Sequence, residues 1–197
     1  MMTSLVVALV AFGKNIVGIV SRPYETYRRI TDHGSLWELT YLGLVLALYF
    51  ALASLVRTAA FRPFLLTRQF MVLFNATLVG YILSVLALWF GGRLVGSSGT
   101  LSRLAIAWGY TLVPTVFWFL ATSLLYVGLP PPRTTSPQGI ALSVLFLLFS
   151  SVLLFWKGML SYLAIRFSLR LAVPKILVGL CVALPALTAY TVAMYRL

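Results

Sequence analysis

The chain has 197 residues, of which 61% are hydrophobic and 9% charged, with 15 Lys+Arg against three acidic residues and a net charge of +12. At a mean hydropathy of +1.02 a soluble domain of this length cannot hide its apolar surface, so lipid must be the solvent for most of it. The basic excess flanks apolar runs, which ties it to membrane topology and anionic headgroups rather than to nucleic acid, and the lone Cys181 allows no intramolecular disulfide.

Ser4 to Val20 is apolar except for Lys14 and Asn15. A signal peptide would carry a basic residue ahead of the apolar core and a small-x-small cleavage site after it, and this stretch has neither. It is short for a span and has a polar notch, which predicts a helix lying in the interface or against the bundle. Ser21 to Gly34, SRPYETYRRITDHG, is the most polar stretch. Pro23 suits a first helical turn and Gly34 a stop. Glu25 can pair with Arg28 or Arg29 at helical spacing. Tyr24, Tyr27 and Ile30 recur on one side, predicting a short amphipathic helix at the headgroup level. His33 has no companion ligands nearby, so no metal site is expected.

Leu36 to Val56 is the first predicted span. Glu38 lies two residues inside it, where a carboxylate can still reach water; at the bilayer centre it would cost about 2.5–3.5 kcal/mol. Arg57, Arg62, Pro63 and Arg68 mark a loop, and Phe70 to Phe90 is the second span. Its polar members Asn75, Thr77 and Ser84 are expected to make interhelical hydrogen bonds, and Gly80 with Ser84 forms a small-xxx-small pair for close contact. Gly91 to Thr100, GGRLVGSSGT, reads as a flexible turn.

The third span follows an amphipathic start carrying Arg103 and runs from Leu104 to Val127 without a formal charge. Pro114 removes a backbone N–H and predicts a kink, tolerated if a neighbour satisfies the freed carbonyl. Gly109 would let another helix approach, and the Tyr110 hydroxyl needs a polar partner such as Asn75, Thr77 or a freed carbonyl. Residues 128–139, GLPPPRTTSPQG, form a non-helical loop. Ile140 to Trp156 is the fourth span, running on to Leu160 with Lys157 snorkelling. Ser161 to Lys175, with Arg166 and Arg170 four apart, reads as an interfacial helix, and Pro174 opens the fifth span, Ile176 to Met194, with Pro185 inside.

The predicted fold is an all-α integral membrane protein. It has N-terminal interfacial amphipathic helices over 1–35 and a five-transmembrane-helix bundle over 36–197, with spans at about 36–56, 70–90, 104–127, 140–160 and 176–194, and a further interfacial amphipathic helix between spans. Ten basic residues (Lys14, Arg22, Arg28, Arg29, Arg93, Arg103, Lys157, Arg166, Arg170 and Lys175) fall on the N-terminal side. Five (Arg57, Arg62, Arg68, Arg133 and Arg196) fall opposite. This bias predicts a cytoplasmic N-terminus and an outer C-terminus.

Intramembrane catalysis needs a nucleophile with a base, a carboxylate pair or a metal held by His and Glu. No predicted span has a central acidic residue, His33 lies outside them all, and Ser150 and Ser151 have no evident base. The sequence therefore predicts no catalytic residue, no metal and no cofactor. A small-solute transporter or channel is the alternative class. Such pathways are marked by intramembrane ionisable groups, and the predicted span interiors hold none. The class is kept open by the proline-broken helices and by the echo between Leu88-Trp89-Phe90-Gly91 and Phe155-Trp156-Lys157-Gly158. A membrane scaffold or interaction protein fits better, with Arg28, Arg29, Lys157, Arg166 and Arg170 as interfacial basic residues.

Five apolar spans, the pre-span helix SRPYETYRRI and GYTLVP in the third span together resemble the Yip family (Ypt/Rab-interacting protein domain). Gly109, Tyr110, Leu112 and Pro114 match the family's glycine-tyrosine-x-leucine-x-proline pattern, and Trp156 before a basic stretch adds to the likeness, which runs from about residue 12 to 195. The resemblance implies a non-enzymatic multi-pass membrane protein with a cytosolic N-terminus. Its eukaryotic relatives bind small GTPases and one another in early secretory vesicle traffic. This chain has only about 35 residues before its first span and lacks their aspartate-leucine-tyrosine-glycine-proline motif. It is thus more similar to the short prokaryotic members of a bacterial or archaeal cytoplasmic membrane. The partners implied are the lipid bilayer, other membrane proteins and a second copy of the chain, with a small GTPase implied only by eukaryotic analogy.

Overall fold

The computed structural model describes residues 2–58, 63–128 and 137–195, with side chains over 5–54, 68, 70–124 and 139–193. Arg62, Arg133, Arg196 and most of the proline-rich loop lie outside the described residues. Within them the chain forms α1 (Met2–Ser21), α2 (Pro23–His33), α3 (Trp37–Thr58), α4 (Pro63–Leu94), α5 (Leu101–Tyr110), α6 (Val113–Gly128), α7 (Pro137–Leu169) and α8 (Val173–Tyr195), and no strand. Five segments are long and apolar enough to cross a membrane: α3, α4, the α5–α6 pair, α7 and α8. The architecture is an all-α membrane bundle.

The N-terminal helices pack as a cap. Pro23 occupies the first turn of α2, where its missing N–H costs nothing, and the Gly34 N–H closes the helix on the Ile30 carbonyl at 2.8 Å. The Tyr41 hydroxyl donates to the Leu5 carbonyl at 2.8 Å and the Asn15 amide to Glu38 at 2.8 Å. The outer face of α1 shows Val6, Val10 and Val17, while Ala8, Asn15 and Ile19 turn inward. Glu25 pairs with Arg22 at 3.6 Å across an exposed surface, not with Arg28 or Arg29 as the spacing suggested.

The third span is two helices rather than one kinked rod. At the end of α5 the Thr111 N–H bonds the Trp108 carbonyl and the Leu112 N–H the Gly109 carbonyl, each at 3.0 Å and three residues apart, so the last turn tightens. Pro114 cannot donate to the Tyr110 carbonyl, and the ladder restarts with the Val116 N–H on Leu112 at 2.9 Å.

No separate interfacial helix follows the fourth span. Between Gly139 and Leu169 nothing stronger than Gly158 interrupts the helical run, so α7 continues to Leu169. It stops at Arg170, which takes the left-handed φ of 55° usually left to glycine. Arg166 lies on α7, and Arg170 is this turn residue. With 32 and 33 residues, α4 and α7 are each about 50 Å long, well beyond the ~30 Å hydrocarbon core.

The connection Gly91 to Thr100 is docked, not flexible. α4 absorbs Gly91 and Gly92 and ends at Leu94, Gly96 turns the chain at φ 85°, and Ser97 buries its hydroxyl on the Leu169 carbonyl at 2.7 Å. A Cβ on Gly99 would fall 2.1 Å from the Ser168 carbonyl oxygen, so this turn lies flat on the end of α7.

Two core clusters meet at α5. One joins Tyr27, Ile30, Leu46, Phe50, Tyr110, Leu160 and Ala164; the other joins Val85, Leu88, Leu104, Ile165, Leu169 and Ile176. α4 and α8 touch backbone to backbone, where a Cβ on Gly91 would sit 2.5 Å from the Gly179 carbonyl oxygen. Further along, the Tyr190 hydroxyl donates to the Ala76 carbonyl. The first half of α7 is bare apolar surface, including Leu147, Leu148, Val152, Leu154 and Phe155, a face only lipid or another membrane protein can cover.

Candidate functional site

One cluster of polar residues draws on four helices, α1, α2, α3 and α5. Ser35 and Glu38 form a capping box at the start of α3: the Ser35 N–H donates to Glu38 Oε1 at 2.9 Å and the Trp37 N–H approaches the Ser35 hydroxyl at 3.4 Å. This bends Glu38 back over the helix N-terminus, where a negative charge is favoured. Its other oxygen, Oε2, accepts from Asn15 Nδ2 at 2.8 Å and from the Tyr110 hydroxyl. Asn15 Oδ1 accepts from Arg29 Nη2 at 2.7 Å and Nε at 3.2 Å. Arginine only donates and a carboxylate only accepts, so one amide orientation serves both sides.

Asn15, Glu38 and Tyr110 are 4%, 2% and 1% exposed. All three partners of Glu38 are donors, so the carboxylate is matched rather than stranded. Its position two residues into the span had suggested contact with water; instead α1, α2 and α5 close over it. The arrangement ties α1, α2, α3 and α5 together through side chains. Beneath it Tyr27 is buried with no hydrogen-bond partner for its hydroxyl among the described residues, and burial raises that hydroxyl's pKa, keeping it neutral.

The GYTLVP residues surround this hub. A Cβ on Gly109 would lie 2.6 Å from Leu39 Cδ2 and 3.6 Å from the Tyr81 hydroxyl, so the glycine faces α3 and α4. Tyr110 reaches Glu38 and Asn15, not Asn75, Thr77 or a freed carbonyl. Leu112 packs against the first core cluster at the break, and Pro114 is fully buried.

The expected interhelical bonds of the second span are not made by Asn75 or Ser84. The Asn75 amide donates to the Met71 carbonyl at 2.9 Å and the Ser84 hydroxyl to the Gly80 carbonyl at 2.7 Å, both on their own helix. A carbonyl one turn back is always in reach, and these side chains take it. Thr77 lines a cleft. Ser150 accepts from the Trp118 indole at 2.8 Å, and Ser151 bonds back to Leu147.

Of the basic residues, Arg28 and Arg170 are exposed, and Arg29 belongs to the hub. Arg166 donates to the Tyr162 hydroxyl at 2.8 Å and lies over its ring. Lys157 does not snorkel outward. It turns to Thr115 on α6, Nζ to Oγ1 at 2.9 Å, and lines a cleft of about 770 Å³ between α4, α5, α7 and α8. No three His, Cys, Asp or Glu residues come together among the described residues.

The family model for the Yip1 domain matches residues 17–195. No curated protein and no solved structure matches the chain.

Proposed function

Starting from the fact that the chain belongs to the Yip1-domain family of membrane proteins, we propose that it is a non-catalytic scaffold of a bacterial or archaeal cytoplasmic membrane, holding lipid and other membrane proteins, or a second copy of itself, against a fixed cap. The N-terminus lies in the cytoplasm and the C-terminus outside. The observation that carries this reading is the hub. Its carboxylate, amide, phenol and guanidinium are engaged with one another, binding four helices together and leaving the carboxylate no free face for a reacting group. Such a cap presents a constant surface to a partner. A role in trafficking, with a small GTPase as partner, comes only by analogy with eukaryotic relatives.

The test is photocrosslinking in intact cells, followed by gentle solubilisation and identification of captured proteins. A defined partner or a crosslinked dimer, lost when Asn15→Leu opens the hub, is the expected result. A second reading, small-solute transport, is favoured by the Lys157-lined cleft. Solute uptake by purified protein in proteoliposomes, with no crosslinked partner in cells, would replace the scaffold reading with that one.

A further inference from the structure

The chain has three acidic residues, and none is placed to meet Lys157. Glu25 pairs with Arg22, Asp32 is exposed on α2, and Glu38 is taken by the hub. Thr115 accepts one of the three N–H bonds of the lysine head, leaving two without a partner among the described residues. A partly buried ammonium with no counter-ion among the described residues calls for one from outside.

The surroundings say which kind. Most of the cleft wall is apolar, and most of its polar members, Asn75, Tyr81, Ser84, Thr111, Tyr190 and Thr191, donate to backbone carbonyls. A ligand rich in hydroxyls or amides would find few donors, whereas an anionic head with a hydrocarbon body matches both one cation and an oily wall. The last exposed large apolar side chain on α7 is Met159, two residues beyond Lys157. The lysine therefore lies near the end of the lipid-facing surface of α7, with apolar surface on one side and the cleft on the other. A free phosphate ion would leave the apolar wall unused.

We infer that the cleft between α4, α5, α7 and α8 binds one anionic phospholipid, its phosphate on Lys157 and an acyl chain along the wall that includes Leu187. The inference builds on the lipid-contact part of the proposed function. Partner capture that persists without lipid binding would sink this site alone.

The experiment is native mass spectrometry of the full chain exchanged into a mixture of phosphatidylglycerol and phosphatidylcholine. The parent should retain one phosphatidylglycerol in preference to phosphatidylcholine. Lys157→Gln should weaken retention about fivefold or more, the scale of one basic contact, and Lys157→Arg should restore it. Lys175→Gln, which removes an equal charge from an exposed site on α8, should match the parent. Retention unchanged in Lys157→Gln, or full displacement of lipid by inorganic phosphate, overturns the assignment. If Lys157→Gln does not purify folded, Leu187→Trp decides: it fills the acyl wall with the lysine intact, and undiminished phosphatidylglycerol retention in it refutes the site.

Discussion

Tyr110→Phe deletes one oxygen from the hub and little else. The ring is 1% exposed and packs beside Phe12 at 6.1 Å between centroids, contacts that phenylalanine keeps. No cavity opens, so the measured loss reports the hydroxyl's bonds to Glu38 and Asn15. A hydrogen bond to a charged group contributes about 1.5–3 kcal/mol. Glu38 retains two donors, Ser35 N–H and Asn15 Nδ2, which places the expected loss near the lower end, about 1.5–2 kcal/mol. Asn15→Leu should cost more, about 2–4 kcal/mol, because it takes a donor from Glu38 and the acceptor from Arg29 in one change. The assay is unfolding of purified protein in mixed micelles by added SDS, run as a double-mutant cycle with Glu38→Gln. If Tyr110 and Glu38 are energetically joined, the cycle gives a coupling of at least ~0.5 kcal/mol. Additive effects, or Tyr110→Phe equal in stability to the parent, would refute the hub as a structural unit.

Gly109→Leu should destabilise by about 1–3 kcal/mol through its clash with Leu39, read as a lower apparent melting temperature in detergent, with a leucine at Ala121 as the milder comparison. Arg170→Gly should stabilise by about 1 kcal/mol, since the left-handed φ of 55° is free of strain only for glycine; an unchanged or lower SDS midpoint would count against that. Reporter fusions after Arg62, Arg133 and Leu197 should read outside, and those after Gly96 and Arg170 inside; an inside C-terminus would reject the proposed orientation.

Hydropathy was enough to find the five helical segments that are long and apolar enough to cross a membrane among the described residues, because the bilayer demands long apolar runs and little in the sequence can disguise them. Boundaries were harder. The fourth span was expected to end at Leu160 and a separate helix to follow, yet Thr115 accommodates Lys157 and nothing crowds Gly158, so α7 runs on to Leu169. The fixed turn at Ser97 was read as flexible because its anchor, the Leu169 carbonyl, lies 72 residues away. For the same reason Glu38 was not paired with Asn15 or Tyr110: neither lies within any helical period of it. One local signal was readable. Ser35-Leu36-Trp37-Glu38 is a capping box, and it turns Glu38 back over the start of its helix and away from open water. Asn75 and Ser84 show the reverse error, where polar residues in a span suggested partners and their own backbone supplied them.

The separation between Glu38 and Tyr110 also sets an order of events during synthesis. Glu38 is made 72 residues before the hydroxyl that completes its shell, a delay of roughly 4–14 s at ordinary elongation rates. Throughout that interval α3 and α4 emerge while the carboxylate has Asn15 and its own cap but lacks its α5 partner. The first two spans therefore enter the bilayer before the clamp that holds α3 can close. Assembly of the cap waits on the ribosome reaching the GYTLVP segment, and the N-terminal helices stay free to adjust until it does.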